Sequence, residues 1–163
     1  MMKAVRLFFS LLFVACVFCI TTSFSSTNSY SPVFMKRADL ENSVRFFPEG
    51  RDLRRPGKIY LKEPYIYINE RYKGIHVYDN SNPEAPKNAG FITIPGCIDL
   101  AIKGNILYAD NSVDLVAINL ETRQVTQRIK SVFPEPAHPQ NSSYWHKDKP
   151  EDMVLVEWKL INE

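Results

Sequence analysis

The sequence predicts an all-β fold, and three features of residues 58–130 predict it. Short runs rich in β-branched and aromatic residues alternate with Gly, Pro, Asn and Asp, which is typical of strands joined by turns. The same order of runs occurs twice, about forty residues apart. Inner runs such as YIYI and LVAI do not alternate apolar with polar residues, so we expect both faces of these strands to be buried.

Each copy of the repeat contains four predicted strands. They are KIYLK, YIYIN, GIHVYD and NAGFITI in the first copy, and CIDLAIK, NILYAD, VDLVAIN and RQVTQRIK in the second. Tyr67 matches Tyr108 at an offset of 41 residues, and after the middle turn Val77 matches Ala117 at an offset of 40. A four-stranded repeat of about 40–45 residues is the unit of a β-propeller blade.

We therefore predict two four-stranded propeller-type blades, at residues 58–96 and 97–134, with a small sandwich or meander as the alternative. A closed propeller has typically about 4–8 blades, so two blades form an incomplete β-propeller with bare apolar outer faces. Gly104 and Asn105 suit a two-residue hairpin turn, because Gly accepts positive φ. The equivalent Glu63 and Pro64 predict a different turn type or register.

The first twenty residues predict a secretory signal peptide. MMKAVR is basic and LFFSLLFVACVFCI is an unbroken apolar run, as in such a signal; a retained membrane anchor is the alternative. Residues 21–32, rich in Ser, Thr and Asn, predict a flexible tether. Leu40, Val44 and Phe47 share one face at helical spacing, so we predict a short helix and a linker within residues 33–57.

Removal of this signal leaves the chain formally neutral. Lys and Arg total 20 and Asp and Glu total 18, and the signal contains Lys3 and Arg6, so 18 residues of each sign remain. Phosphate binding requires a concentrated basic field. The balance of charge therefore excludes nucleic acid as the expected partner.

The chain contains three cysteines, and only Cys97 lies beyond the predicted signal. A single thiol forms no internal disulfide, and no base lies near it in the sequence, so we predict a small buried hydrophobe rather than a nucleophile. Cys16 follows the small residue Ala15, as the acylated cysteine of a lipoprotein does. The local residues equally allow an ordinary apolar-region cysteine with cleavage later, near TTSFSS.

Residues 135–163 predict a polar loop followed by a terminal strand, MVLVEWKLI. The loop contains five possible metal ligands, and a solvated loop is favoured over a metal site because its two histidines are eight residues apart among prolines. Beside an Asn-Ser-Ser sequon, two aromatic residues suit either sugar stacking or, as favoured here, a cap on the second blade. The residues concerned are His138, His146, Asp148, Glu151 and Asp152, and Tyr144 and Trp145.

The remaining polar residues do not predict a catalytic site. Asp110 and Asp114 are close in sequence, but Asp, Asn and Ser are ordinary turn residues and a calcium loop requires more oxygen ligands. His76 is interpreted as a strand-facing histidine. The sequence contains no GxSxG, GxGxxG, GxxxxGK[ST] or HExxH motif, so we predict no catalytic residue, no metal and no cofactor.

Residues 56–110 resemble a known family of exported repeat proteins. The similarity is carried by PGKIYLKEPYIYINERYKGIHVYDNSNP, NAGFITIPG and DLAIKGNILYAD, and the family is the LVIVD-repeat proteins, β-propeller-like exported lipoproteins of Gram-negative bacteria. Its pentapeptide corresponds to IHVYD at 75–79 and, more loosely, to LVAIN at 115–119. Weaker similarity extends from PVFMKRADL to about Pro134. The resemblance implies a periplasmic or surface protein acylated at Cys16, and it supplies no catalytic residue.

The expected function is that of a non-enzymatic exported repeat protein, a lipid-anchored binding or scaffold protein of the cell envelope. Its expected partners are a protein or a glycan, the membrane through the lipid anchor, and a second copy of the chain. One alternative is a truncated remnant of a longer LVIVD-repeat propeller without independent function. The other is a secreted metal-dependent hydrolase that uses the loop at residues 138–152.

Overall fold

The structure, a computed structural model, describes residues 29–140 and 149–161. These residues form eleven strands and one short helix, so the all-β prediction is confirmed. The predicted signal peptide, Cys16 and most of the predicted tether lie outside the described residues. The elements are β1 (Tyr30–Lys36), α1 (Arg37–Glu41), β2 (Arg45–Phe47), β3 (Pro56–Lys62), β4 (Tyr65–Glu70), β5 (Gly74–Asp79), β6 (Lys87–Thr93), β7 (Leu100–Lys103), β8 (Ile106–Asn111), β9 (Asp114–Asn119), β10 (Gln124–Ile129) and β11 (Met153–Leu160).

In the described part of the chain the strands form three antiparallel sheets, none of which closes on itself. Strands β3 to β6 form a first meander, with β2 added beside β6, and β7 to β10 form a second meander. Strands β1 and β11 pair as a separate terminal sheet. The eight strands predicted for the two repeats and the predicted terminal strand are therefore confirmed.

The two meanders have the same strand order and matching register across their first three strands. In each, a tyrosine of the second strand lies between residues displaced by the offsets seen in the sequence. Tyr67 is opposite Tyr60 and Val77, and Tyr108 is opposite Ala101 and Ala117. The repeat found in the sequence therefore holds in the strand pairing, in two separate sheets.

The main hydrophobic core contains buried residues of both meanders. The first contributes Tyr67, Ile75, Ile92 and Ile94, and the second contributes Leu100, Ile102, Leu107, Ala109, Val116 and Ile118. The predicted burial of both strand faces is confirmed in β9, where Val116, Ala117 and Ile118 are all buried. It is wrong for β4, where Tyr67 is buried but Ile66 and Ile68 are half-buried, because less of the outward face of this sheet is covered.

The outward face of the first meander begins at its edge strand, β3. Tyr60 packs against the core and donates its hydroxyl to the Ile102 carbonyl at 2.8 Å. Because side chains alternate along a strand, its neighbours Ile59 and Leu61 lie on the other face, and they are 63% and 58% exposed. This face is apolar and open.

The predicted amphipathic helix is shorter than the sequence suggested. Helix α1 has five residues and contains only Leu40 of the predicted stripe, while Val44 follows the helix and Phe47 ends β2. Pairing of β2 with β6 outweighs the helical spacing here. No described helix is long and apolar enough to cross a membrane.

The terminal sheet and the hairpin turns settle two smaller predictions. Strand β1 starts at Tyr30, inside the predicted tether, because Tyr30 and the residues after it pair with β11. Gly104 adopts φ +57° in a two-residue hairpin, as predicted. The Glu63-Pro64 peptide bond is cis, and the residues around it keep the equivalent register, so the first hairpin differs in turn type alone.

A buried carboxylate joins the helix to the second meander. Asp114 is fully buried, and its two oxygens accept bonds from Arg37 Nη2 at 2.8 and 2.7 Å. Arg128 Nη1 donates to it at 2.8 Å, and the Ser131 N–H at 3.0 Å. Burial alone raises the pKa of Asp114, but these donors more than offset it, so that the pKa lies below its ordinary value.

Replacement Asp114→Asn is expected to destabilise the fold by about 3 kcal/mol, because two arginines lose a buried partner. The lowered pKa means that this contribution is complete above the ordinary Asp pKa of about 4 and is lost as pH falls through the folded value. Urea unfolding from pH 7 to pH 3 measures both effects. The control is Asp39→Asn, at an exposed position. An equal loss of stability in the two variants would contradict the role given to Asp114.

Candidate binding site

A cleft of about 530 Å³ is lined by the loop after β2, the β4–β5 end of the first meander and the terminal sheet. Small-molecule sites have volumes of roughly 300–1,000 Å³. Six cationic residues line it: Arg51, Arg54, Arg55, Arg71, Lys73 and Lys159. Three acidic residues line it as well: Asp52, Glu70 and Glu157. We call this region the basic cleft.

The acidic residues do not balance the cationic ones. Glu157 forms an ion pair with Lys73, and Glu70 is bonded to backbone N–H groups and a histidine. Among the described residues, four of the six cations form no ion pair: Arg51, Arg54, Arg71 and Lys159. The basic cleft therefore has an excess of positive charge, although the chain without its predicted signal is neutral.

Glu70 fixes the loop that provides three of the arginines. Its Oε2 accepts the Arg54 N–H at 3.0 Å, and its Oε1 accepts the Arg55 N–H at 2.7 Å. Burial raises the pKa of Glu70, but these two donors and His76 outweigh burial and lower the pKa. Glu70 is therefore ionised at neutral pH, and its bonds hold the backbone from which Arg54 and Arg55 extend.

His76, on β5, borders the basic cleft beside Glu70. Its Nε2 lies 3.1 Å from Glu70 Oε2, and its ring contacts Phe91 edge-on at 4.7 Å between centroids. An ionised carboxylate accepts only, so Nε2 donates, and Nδ1 of the neutral imidazole is an acceptor. His76 is 1% exposed, and Nδ1 has no hydrogen-bond partner among the described residues.

Aromatic rings hold two guanidinium groups at the basic cleft. The Arg51 guanidinium lies 4.7 Å from the Phe47 ring and 4.6 Å from the Phe91 ring, and that of Arg71 lies 5.7 Å from the Tyr72 ring. Cation–π contacts of this kind restrict an arginine without using its N–H donors. Those donors remain directed to other partners.

The basic cleft is suited to bind an anion. Its lining residues include a carboxylate–imidazole pair but no Ser, Thr or Cys, so a nucleophile of these types does not stand beside the pair. Fixed arginines supply planar pairs of donors that match carboxylate and phosphate oxygens. The chemistry that this arrangement offers is recognition of negative charge.

Cys97 lies in the main core, as predicted. It is 0% exposed, and Asn69 Nδ2 donates to its sulfur at 3.2 Å. Burial, with the nearby charge of Asp110, raises the pKa of the thiol well above its ordinary value. A thiol with a raised pKa is a poor nucleophile, which agrees with the prediction of a small buried hydrophobe.

Several residues of the predicted polar loop lie outside the described residues: Asn141, Ser142, Ser143, Tyr144, Trp145, His146 and Asp148. The His138 ring contacts the rings of Tyr30 and Trp158 edge-on, at 5.8 and 4.5 Å between centroids. Glu151 and Asp152 are exposed. In residues 29–140 and 149–161, no three His, Cys, Asp or Glu residues are grouped so as to hold a metal ion.

Asp110 and Asp114 have separate structural roles. The Asp110 carboxylate accepts the backbone N–H groups of Ile98 and Asp99 at 2.8 to 2.9 Å, and so it holds the segment between the meanders. Asp114 binds the arginines described above. The interpretation of these residues as turn and framework groups therefore agrees with the structure.

The sequence analysis missed the basic cleft. The segment GRDLRRPG was interpreted as a structure-breaking linker because of its Pro and Gly residues, although its three arginines were a detectable signal. His76 was correctly assigned to a strand, but its pairing with Glu70 depends on the turn between β4 and β5. Lys159 and Glu157 belong to a strand more than eighty residues away in the sequence.

Comparison of the chain with known protein families, curated proteins and solved structures found no match. The similarity to LVIVD-repeat proteins therefore rests on the sequence segments quoted above. The structure and the repeat register are the basis for the proposals that follow.

Replacement Glu70→Gln is expected to loosen the loop that carries the arginines. One carboxylate oxygen becomes an NH2 group that faces an N–H donor, so the amides of Arg54 and Arg55 should exchange with deuterium about tenfold faster. Hydrogen exchange followed by mass spectrometry on peptides that cover residues 48–57 measures this. Glu63→Gln, in the exposed β3–β4 turn, is the matched control. Unchanged exchange in Glu70→Gln would show that the carboxylate does not hold the loop.

Proposed function

We propose that this chain is a non-enzymatic exported binding protein of the cell envelope, built from two propeller-type blades and attached to a membrane through lipid on Cys16. The matched register of the two meanders supports this proposal most strongly. Each meander is a four-stranded module at the spacing of the sequence repeat, and its core residues pack with those of its copy. Repeated modules of this kind serve as scaffolds that present loops and turns.

The position of the basic cleft supports a binding role for this scaffold. The cleft is lined by strand ends and a loop rather than by the faces of the sheets, and loops on a rigid framework are the usual place for recognition. Backbone bonds to Glu70 and ring contacts to Arg51 fix the loop before a ligand arrives. Such preorganisation lowers the entropic cost of binding.

Self-association is the second mode of interaction that we propose, and the open face of β3 supports it. Ile59 and Leu61 present apolar side chains to solvent on a sheet whose other face packs in the core. Exposed apolar sheet surface favours association. The packing of one meander with the other inside the chain suggests the occupant, which is a meander of a second copy. A remnant without independent function is the alternative that the same exposed face allows.

Lipid attachment is tested with Cys16→Ser and, as the matched control, Cys19→Ser, each expressed as the full chain in a Gram-negative bacterium. The wild type and Cys19→Ser should incorporate a labelled fatty acid and sediment with membranes, because the lipid is attached at Cys16. Cys16→Ser should lose the label and leave the membrane fraction. Fatty-acid label on Cys16→Ser, or none on the wild type, would contradict acylation at this residue.

Self-association is tested by size-exclusion chromatography with light scattering on residues 30–163. The wild type should form one discrete oligomer, and Ile59→Ser/Leu61→Ser should be monomeric, because the double variant removes apolar surface from the proposed contact. The control is Val132→Ser, at a loop position that is 46% exposed, and it should keep the oligomer. A monomeric wild type would contradict the proposal, and a polydisperse aggregate would favour the remnant.

A further inference from the structure

The basic cleft requires a ligand with negative charge. Four of its six cations form no ion pair among the described residues, while two of its three acidic residues are already bonded to groups of the protein itself. Bringing these cations close together is unfavourable in the empty protein and becomes favourable when an anion lies between them. Guanidinium groups match the planar oxygens of carboxylate or phosphate with pairs of N–H donors.

The basic cleft also requires a hydrogen-bond donor. Nδ1 of His76 is a buried acceptor without a partner, and the bond from Nε2 to Glu70 fixes this tautomer. A buried polar atom without a partner is unfavourable, and a simple anion such as phosphate, sulfate or acetate offers acceptors rather than a neutral hydroxyl group. A ligand that carries both a hydroxyl group and an anionic group satisfies the two requirements together.

We propose that the basic cleft binds an anionic sugar, which places its carboxylate or phosphate group among Arg51, Arg54 and Arg71 and donates a hydroxyl group to Nδ1 of His76. The volume of about 530 Å³ is that of a small-molecule site. This inference rests on the binding function proposed above and names its ligand class. The anion and the hydroxyl group come from one ring in such a ligand, so the two sides of the cleft are used at once.

The test is an NMR titration of the full-length chain, purified in detergent, with four small probes. They are glucuronate, glucose 6-phosphate, glucose without an anionic group, and cyclohexanecarboxylate without hydroxyl groups. At least one of the two anionic sugars should bind about tenfold more tightly than glucose and than cyclohexanecarboxylate, since each of these lacks one of the two interactions. Comparison of glucuronate with glucose 6-phosphate shows which anion the arginines prefer.

Three variants locate the ligand. Arg54→Gln keeps the backbone N–H that binds Glu70 and removes the guanidinium, so it should weaken the binding of the anionic sugar about tenfold. Arg45→Gln, at an exposed position of β2 outside the basic cleft, should bind as the wild type does. His76→Phe keeps a ring against Phe91 and removes Nδ1, so it should abolish the preference for the anionic sugar over cyclohexanecarboxylate while circular dichroism shows a folded chain.

Failure of this inference differs from failure of the proposed function. Equal affinity for glucose and both anionic sugars, no binding of either anionic sugar, or unchanged binding by Arg54→Gln would overturn the anionic-sugar site. Inorganic phosphate that binds as tightly as the sugars would show an adventitious ion only and would also overturn it. Chemical turnover of a probe, observed as new product signals in the same spectra, would instead overturn the proposal of a non-enzymatic protein.

Discussion

The contact between the two meanders is the constraint on which the rest of the structure depends. A four-stranded antiparallel sheet buries too little apolar surface on its own, and it becomes stable when one face is covered. Here each meander covers the other with side chains at repeat-related positions, including Ile75 and Leu115's neighbour Val116. This packing fixes the first three strands of each meander, and it leaves the turns and strand ends to carry the differences between the two copies.

Those differences are concentrated at the end of the second strand of each meander. Glu70 and Asn111 occupy equivalent positions there, at the offset of 41 residues. Glu70 accepts backbone N–H groups of the preceding loop, whereas Asn111 donates to the Pro95 carbonyl at 2.7 Å. Both side chains anchor the segment that leads into their meander, but only the carboxylate adds a negative charge and orients a histidine. The basic cleft therefore belongs to one copy of the repeat and not to the other.

Local chemistry explains which parts of the structure the sequence predicted. Turn residues and β-branched runs act over a few neighbours, so the eight strands and the Gly104 hairpin were predictable. The helical spacing of Leu40, Val44 and Phe47 was misleading, since Phe46 beside them pairs with Ile92 of a strand far along the chain. The basic cleft was not predictable as a site, because its charges come from distant segments and cancel in the sum over the chain.

The pairing of β1 with β11 determines how the described chain responds to a pull on its two ends. Tyr30 lies directly opposite Leu160, and the two strands are antiparallel. A force applied between these residues opens the ladder one hydrogen bond after another, as a zipper opens, instead of loading all the bonds together. The terminal sheet is thus the first part to yield mechanically, and the paired meanders are spared until it has opened.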